Sequence, residues 1–378
     1  MENFLKKNNI LKQTGFGFTA AALVGAYAIC ACAALGQSLL PALLCCAVCL
    51  FTSLKLKNGI FAPDVYLLVP VIFIFSAGSP AAGFIAIALG GAIYLILQKF
   101  TAHIKIPTPV MAGAGIGLAL GVTILLTKHY FGIGAFGETP LEMLKNYRYL
   151  GFHPLFRGLL YGTITLFTMI TYPFKFKKLN KYIPAEFITI LLPFILNLFL
   201  NPEKELTTIN EAICLAPVTN IFSEISMPAS GEIPLIMKTA LATGLILMGC
   251  APEEKVCFGT ANLLSGAVSS LPVKKYNIRG YGFVSAITAF VVISVLILIF
   301  PNVLSRIPMH CVGSMLIVSA WQHLPTKALA DTFKRPSIIK ILAFFICTVA
   351  FVVLDIFGAA IVCTLATLTL SRKKEVAK

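Results

Sequence analysis

Long apolar runs separated by short polar stretches recur from Phe16 to Leu370. In the first half they fall at Phe16–Leu35, Ser38–Leu54, Phe61–Ala77, Ala81–Lys99, Pro107–Thr127, Pro154–Tyr172 and Pro184–Leu200. In the second they fall at Ile233–Cys250, Val256–Leu271, Phe283–Phe300, Ile307–Trp321, Ile341–Leu354 and Ile356–Leu370. A helix needs about 20 apolar residues to cross a hydrocarbon core of ~30 Å, and these runs are of that order. Lipid offers the backbone no hydrogen-bond partner, so each run is expected to be a helix. The pattern predicts an all-α polytopic membrane protein. The polar start Met1–Thr14 leads into a full-length run, so no cleavable signal peptide is expected.

Charge refines the count. A further short crossing near Leu271–Tyr281 makes fourteen spans and puts 23 of the 30 lysines and arginines on the side of both termini. Glu138, Glu142, Glu203, Glu205, Glu211, Glu224 and Glu232 then collect on the other side. With thirteen crossings, the basic stretches 327–340 and 372–378 would face outward, against the positive-inside tendency. The expected division is residues 1–15 as a cytoplasmic N-terminus, 16–200 as a first repeat of seven spans and 201–232 as an extracytoplasmic loop. Residues 233–371 form a second repeat of seven, and 372–378 a cytoplasmic tail. The chain is expected in the inner or plasma membrane.

Composition agrees and removes other classes. Hydrophobic residues make up 58% and charged residues 12% of the chain, against about 25% charged in soluble domains, and the mean hydropathy is +0.90. The net charge of +15 is what orientation in a bilayer requires, and no nucleic-acid partner is expected. The cysteines, ten of the eleven in or at the ends of apolar runs, read as small hydrophobes. The five histidines show no ligand spacing. No metal, cofactor or enzymatic chemistry is expected.

Two halves of seven spans suggest an inverted repeat. Lys105–Met111 opens the fifth span and Arg306–Val312 the twelfth with a similar basic-Ile-Pro start. The third and tenth spans occupy equivalent places and are both irregular. Ala62-Pro63-Asp64 opens the third, with proline read as a helix-start signal. Leu271-Pro272-Val273 and the polar run Lys274–Gly280 make up the tenth. Interrupted segments at corresponding places point to a transport site, and their helix N-termini suit an anion.

At these residues the chain resembles the SulP (sulfate permease) family of anion transporters. Gly259–Gly266 followed by Leu271-Pro272 is similar to the family's segment before its tenth helix, and Leu304–Pro308 to Trp321 to its twelfth. Thr348–Asp355 with Gly358 is similar to its closing pair, Ile106–Gly113 to its fifth-helix element, and Lys181–Ala185 to the start of its seventh. The resemblance implies a 7+7 inverted repeat in which a core domain of spans 1–4 and 8–11 faces a gate domain of spans 5–7 and 12–14. Substrate would lie between the third and tenth helices. The chain departs from the family at Ala28–Ala31, where an Ile-Pro-Gln element is usual, and at Thr239–Cys250, which holds no glutamate. Its tenth span is shortened, and the sequence stops at Lys378 without the STAS domain, so the resemblance covers the transmembrane part.

The expected substrate-binding residues are Asp64, Val65, Tyr66, Tyr276, Asn277 and Arg279. Asp64 is either a helix-start carboxylate or a coupling group that takes H+ or Na+ in step with transport. Lys274, Lys275 and Arg279 are either a positive-inside loop or, with Arg279 foremost, a cation reaching the site. Asp355 reads as a helix-end partner. The expected function is a secondary transporter of a small inorganic or organic anion, such as sulfate, bicarbonate, chloride or a dicarboxylate, with a homodimer as one open assembly. A nucleobase permease of the same architecture and a non-transporting membrane subunit are the alternatives.

Overall fold

The computed structural model describes residues 2–56, 58–100, 106–134, 137–151, 153–200, 206–211, 213–215, 228–249, 255–277, 281–334 and 336–376. Its first half holds α1 (Glu2–Leu35), α2 (Leu39–Thr52), the strand β1 (Ile60–Pro63), α3 (Leu68–Ala77), α4 (Pro80–Phe100), α5 (Thr108–Phe131), α6 (Pro140–Leu150), α7 (Phe156–Lys175) and α8 (Ala185–Leu200). The second holds α9 (Ile233–Gly249), α10 (Lys255–Ser269), the strand β2 (Val273–Tyr276), α11 (Phe283–Ile299), α12 (Met309–Gln322), α13 (Thr326–Lys334), α14 (Ile338–Val353) and α15 (Ile356–Val376). Among the described helices of eight or more residues, α6 and α13 are additions to the sequence reading, and each follows the equivalent span of its repeat.

Local sequence sets the starts and stops. Pro107 and Pro308 both hold the extended backbone of a helix N-cap, at φ −63° and −66°, so the echoed motifs make the same entry into α5 and α12. A proline there loses no bond, because the first N–H groups of a helix have no intrahelical acceptor. α5 stops at Gly132, whose φ of +66° is left-handed. Asp355 accepts the Gly358 N–H at 2.8 Å and caps α15, as the sequence reading has it.

The helices form two layers, core and gate. In the core, α4 packs between α9 and α10, and α1 lies along α2 and α11. In the gate, α5 packs against α12 and α14, while α7 lies against α8 and α12. The α4–α10 seam is built on glycines. A Cβ on Gly91 would meet the Leu263 backbone N at 2.5 Å, and one on Gly266 the Ala88 backbone N at 2.5 Å. With no strong hydrophobic drive between helices in lipid, such close backbone approach is a main source of cohesion.

The third and tenth spans meet as an antiparallel ladder, pairing Ile60 with Tyr276 and Pro63 with Val273. Pro63 therefore does not open a helix: it ends β1, and α3 starts at Leu68. Proline fits there because its missing N–H costs nothing at the end of a strand that pairs on a single edge. The pairing continues through the Asp64 N–H, which donates to the Pro272 carbonyl at 2.8 Å. Each strand is also held by the preceding helix. Ser53 accepts the Phe61 N–H at 2.7 Å, and Asn262 accepts the Val273 N–H at 2.9 Å while donating to its carbonyl at 3.2 Å.

A carboxylate outside the spans ties two core helices together. Glu232, before α9, accepts the Ser79 backbone N–H at 2.6 Å and the Ser79 hydroxyl at 2.9 Å, at the start of α4. The Ser79 hydroxyl bond, with the N–H bonds, holds the Glu232 carboxyl below its usual range. A depressed carboxylate contributes stability above its unfolded pKa of about 4.3 and loses it as pH falls through the folded value. Glu232→Gln is therefore expected to lower the melting temperature in detergent at pH 7, with the difference from wild type closing on acidification. A difference that stays constant with pH would show that the charge of Glu232 is not what holds the joint.

Candidate functional site

The two-residue period of a strand decides which side chains of β2 face the gate. Lys274 and Tyr276 share one face, while Lys275 faces the other and packs over Gly59, where its side chain would meet an added Cβ at 2.8 Å. On the gate side the Lys274 ammonium lies over the Tyr66 ring, 5.0 Å from its centroid. A contact of this kind is worth about 0.5–1 kcal/mol where exposed and about 2 when desolvated. The ring face attracts the charge but accepts no conventional hydrogen bond, so the N–H donors keep their capacity for an anion.

Asp64 is 2% exposed. Its Oδ1 accepts the Tyr66 N–H at 3.1 Å, and its Oδ2 is buried with no hydrogen-bond partner among the described residues. Half of the carboxylate thus does the local turn work foreseen for a helix-start residue, and half is left over. A buried carboxylate oxygen without a partner is costly.

Around the ladder lies an aromatic and polar layer that joins core to gate. The Tyr27 hydroxyl of α1 donates to Glu186 Oε1 of α8 at 3.1 Å and sits 3.1 Å from Ser319 Oγ of α12. The ring of Tyr27 lies 5.5 Å from Tyr276, and Tyr276 meets the edge of His323 at 5.0 Å. His323 Nδ1 is 2.6 Å from the Ser319 carbonyl. A carbonyl only accepts, so Nδ1 carries a proton, and in the neutral ring Nε2 is an acceptor.

The layer sits between two cavities. One of about 360 Å³ is lined by Tyr66, Lys274 and His323 at the ladder, and extends to Leu97, Gly249 and Leu368 near the C-terminal ends of α4, α9 and α15. The other, of about 460 Å³, is bounded by Leu35, Ser76, Lys128, Glu138 and Glu142. Lys274 lines the first and not the second. Core and gate residues both contribute to each.

No protein-family model matches the sequence, and no curated protein is similar enough to count as a match. Solved structures do match. The structure of SLC26A9 aligns with a TM-score of 0.73 at 14% identity, covering 97% of this chain and 66% of that one. The transmembrane domain of the cyanobacterium bicarbonate transporter BicA aligns at 0.68 and 19% identity, covering 93% of this chain and 97% of that domain. Murine SLC26A9, an anion transporter captured in the inward-facing state, aligns at 0.68 and 13% identity, over 97% of this chain and 68% of that one. The chain has the SulP/SLC26 fold. The likeness read from short motifs is borne out as a fold, with its inverted repeat and its core and gate.

Within the SulP/SLC26 fold the sequence-predicted residues separate. Asp64, Tyr66 and Tyr276 come together at the ladder. Val65 is buried beside them, and its carbonyl accepts the Leu68 N–H at the start of α3. Asn277 is exposed and does not line the cavity. Arg279 lies outside the described residues. Among the described residues, the lysine on the cavity wall is Lys274. Tyr27, Glu186, Ser319 and His323 were not among the expected residues. Only Glu186 carried a signal, as a carboxylate inside an apolar run just after Lys181–Ala185.

Proposed function

We propose that this protein is a secondary transporter carrying a small anion by alternating access, with Lys274 as the charged contact. The observation that carries the proposal is the placement of the Lys274 ammonium at the ladder end of a cavity walled by core and gate. Support also comes from the shared fold, since the solved neighbours are described as anion and bicarbonate transporters. By the charge distribution the Lys274 cavity belongs to the cytoplasmic side, with both termini there. A nucleobase carrier of this architecture would use acidic residues on its eighth and tenth spans, and neither Ile233–Gly249 nor Leu271–Tyr281 carries one.

Uptake of labelled chloride, bicarbonate, sulfate, benzenesulfonate and uracil into proteoliposomes tests this. Saturable uptake of an anion is expected. Uracil uptake with no anion movement would establish the nucleobase reading, and no movement of any of them would make the chain a non-transporting subunit.

Asp64 is the coupling group in this proposal, since its unpartnered Oδ2 suits a proton or Na+. Asp64→Asn keeps the Oδ1 acceptor for the Tyr66 N–H, so expression is expected to hold. The pH or sodium dependence of uptake is expected to flatten, and an unchanged dependence on both ions would reduce Asp64 to its turn-forming role.

A further inference from the structure

Among the described residues, the Lys274 ammonium is the one charged donor on the wall of this cavity, the Tyr66 hydroxyl is a neutral one, and most of the remaining lining is apolar. Besides Tyr66, Lys274 and His323, the oxygen-bearing side chains on its lining are Thr364 and Thr367. Both hydroxyls donate at 2.8 Å to the carbonyl four residues back in α15, so their protons are spent. His323 donates through Nδ1 to Ser319 and presents an acceptor elsewhere. Neither threonine nor neutral histidine therefore adds a donor for an anion, and the charge rests on the Lys274 ammonium. The remaining wall is made of side chains such as Val110, Leu118, Leu245 and Phe351.

This is a poor exchange for a strongly hydrated inorganic oxyanion. Settling against the apolar wall costs such an ion part of its hydration shell, and one ammonium and one hydroxyl do not replace it. A dianion meets a second obstacle, because the described wall offers one lysine to balance two charges. An organic anion with one charge fits both facts, because its head pairs with Lys274 while its body covers the apolar wall. The cavity's 360 Å³ falls within the roughly 300–1,000 Å³ of clefts that enclose organic ligands with apolar linings and a few placed polar groups.

We infer that the anion this protein binds best is an organic monoanion with an apolar body, a carboxylate or sulfonate rather than a strongly hydrated inorganic oxyanion such as sulfate or bicarbonate. The inference rests on the transport reading above and names the chemistry of its substrate.

Sulfonates test it cleanly, because they stay ionised and do not leak through the bilayer as neutral acids. Uptake of labelled benzenesulfonate into proteoliposomes of the full chain is competed with methane-, propane- and hexanesulfonate, and with sulfate, bicarbonate and chloride. Affinity is expected to rise about fourfold for each methylene buried, the value from hydrocarbon transfer, with the inorganic anions the weakest competitors. Ala114→Phe, which fills the half-exposed wall position on α5, is expected to flatten the chain-length increment. Lys274→Gln is expected to weaken every sulfonate alike. If chloride or bicarbonate is carried and the sulfonates neither move nor compete, the inference is overturned while the transport reading stands. If no anion of either kind moves, both fall.

Discussion

Lys274→Gln is expected to weaken anion affinity by about tenfold to a hundredfold, while Lys275→Gln leaves it within about twofold. The magnitude is that of one hydrogen bond to a charged group, about 1.5–3 kcal/mol, at 1.4 kcal/mol per factor of ten. The contrast between neighbouring residues of one type comes from the alternation of β2. Lys274 is on the cavity wall beside Tyr66, and Lys275 is turned towards Gly59. Both substitutions remove one positive charge from the same stretch, so orientation in the membrane is affected equally and cannot produce the difference. Anion affinity read from competition in proteoliposomes decides it, and equal effects of the two substitutions would mean the ammonium of Lys274 is not the binding charge.

Gly266→Ala is expected to destabilise the protein by about 1–3 kcal/mol, the usual range for overpacking a close contact. The new methyl would sit 2.5 Å from the Ala88 backbone N, and main chain on both sides leaves no flexible side chain to move away. Gly91→Ala should behave alike, because its Cβ meets the Leu263 backbone at the same distance. Gly15 on α1 provides the opposite sign, since nothing lies within 4 Å of a Cβ built there. Gly15→Ala is expected to gain up to about 0.5–1 kcal/mol through helix propensity alone. Melting temperatures in detergent separate these cases. A Gly266→Ala protein as stable as wild type would show that α4 and α10 can part without loss.

Most of the helices were legible because each is declared by a long apolar run, and two of the starts by proline, at Pro107 and Pro308. The strands were not. Ile60–Pro63 and Val273–Tyr276 span four residues each, too few for a two-residue period to stand out. In Lys274-Lys275 the adjacent charges hide it further, because alternation separates two identical residues. The sequence reading put Arg279 foremost among the three cations of that stretch, and nothing in the local pattern distinguished Lys274 from Lys275. Tyr27, Glu186, Ser319 and His323 come from three helices far apart in sequence. Their meeting is a product of the packing of α1, α8 and α12 and has no local pattern to read. Asn262 was noticed only as part of a motif, and its reason is the hold it takes on Val273.

The β1–β2 ladder also orders the molecule's assembly in time. Ile60 must wait for Tyr276, and a chain made from its N-terminus upward has inserted the whole first repeat before Val273 arrives. Closing so long a loop carries an entropic penalty and slows formation of the contact. Until it closes, the N–H and C=O groups of β1 lack the ladder that satisfies them, at a depth where water is scarce. The first repeat is therefore an incomplete folding unit, exposed to quality-control proteases if synthesis stalls in the second. Two separately expressed halves, cut within residues 201–232, should accumulate together and be degraded apart.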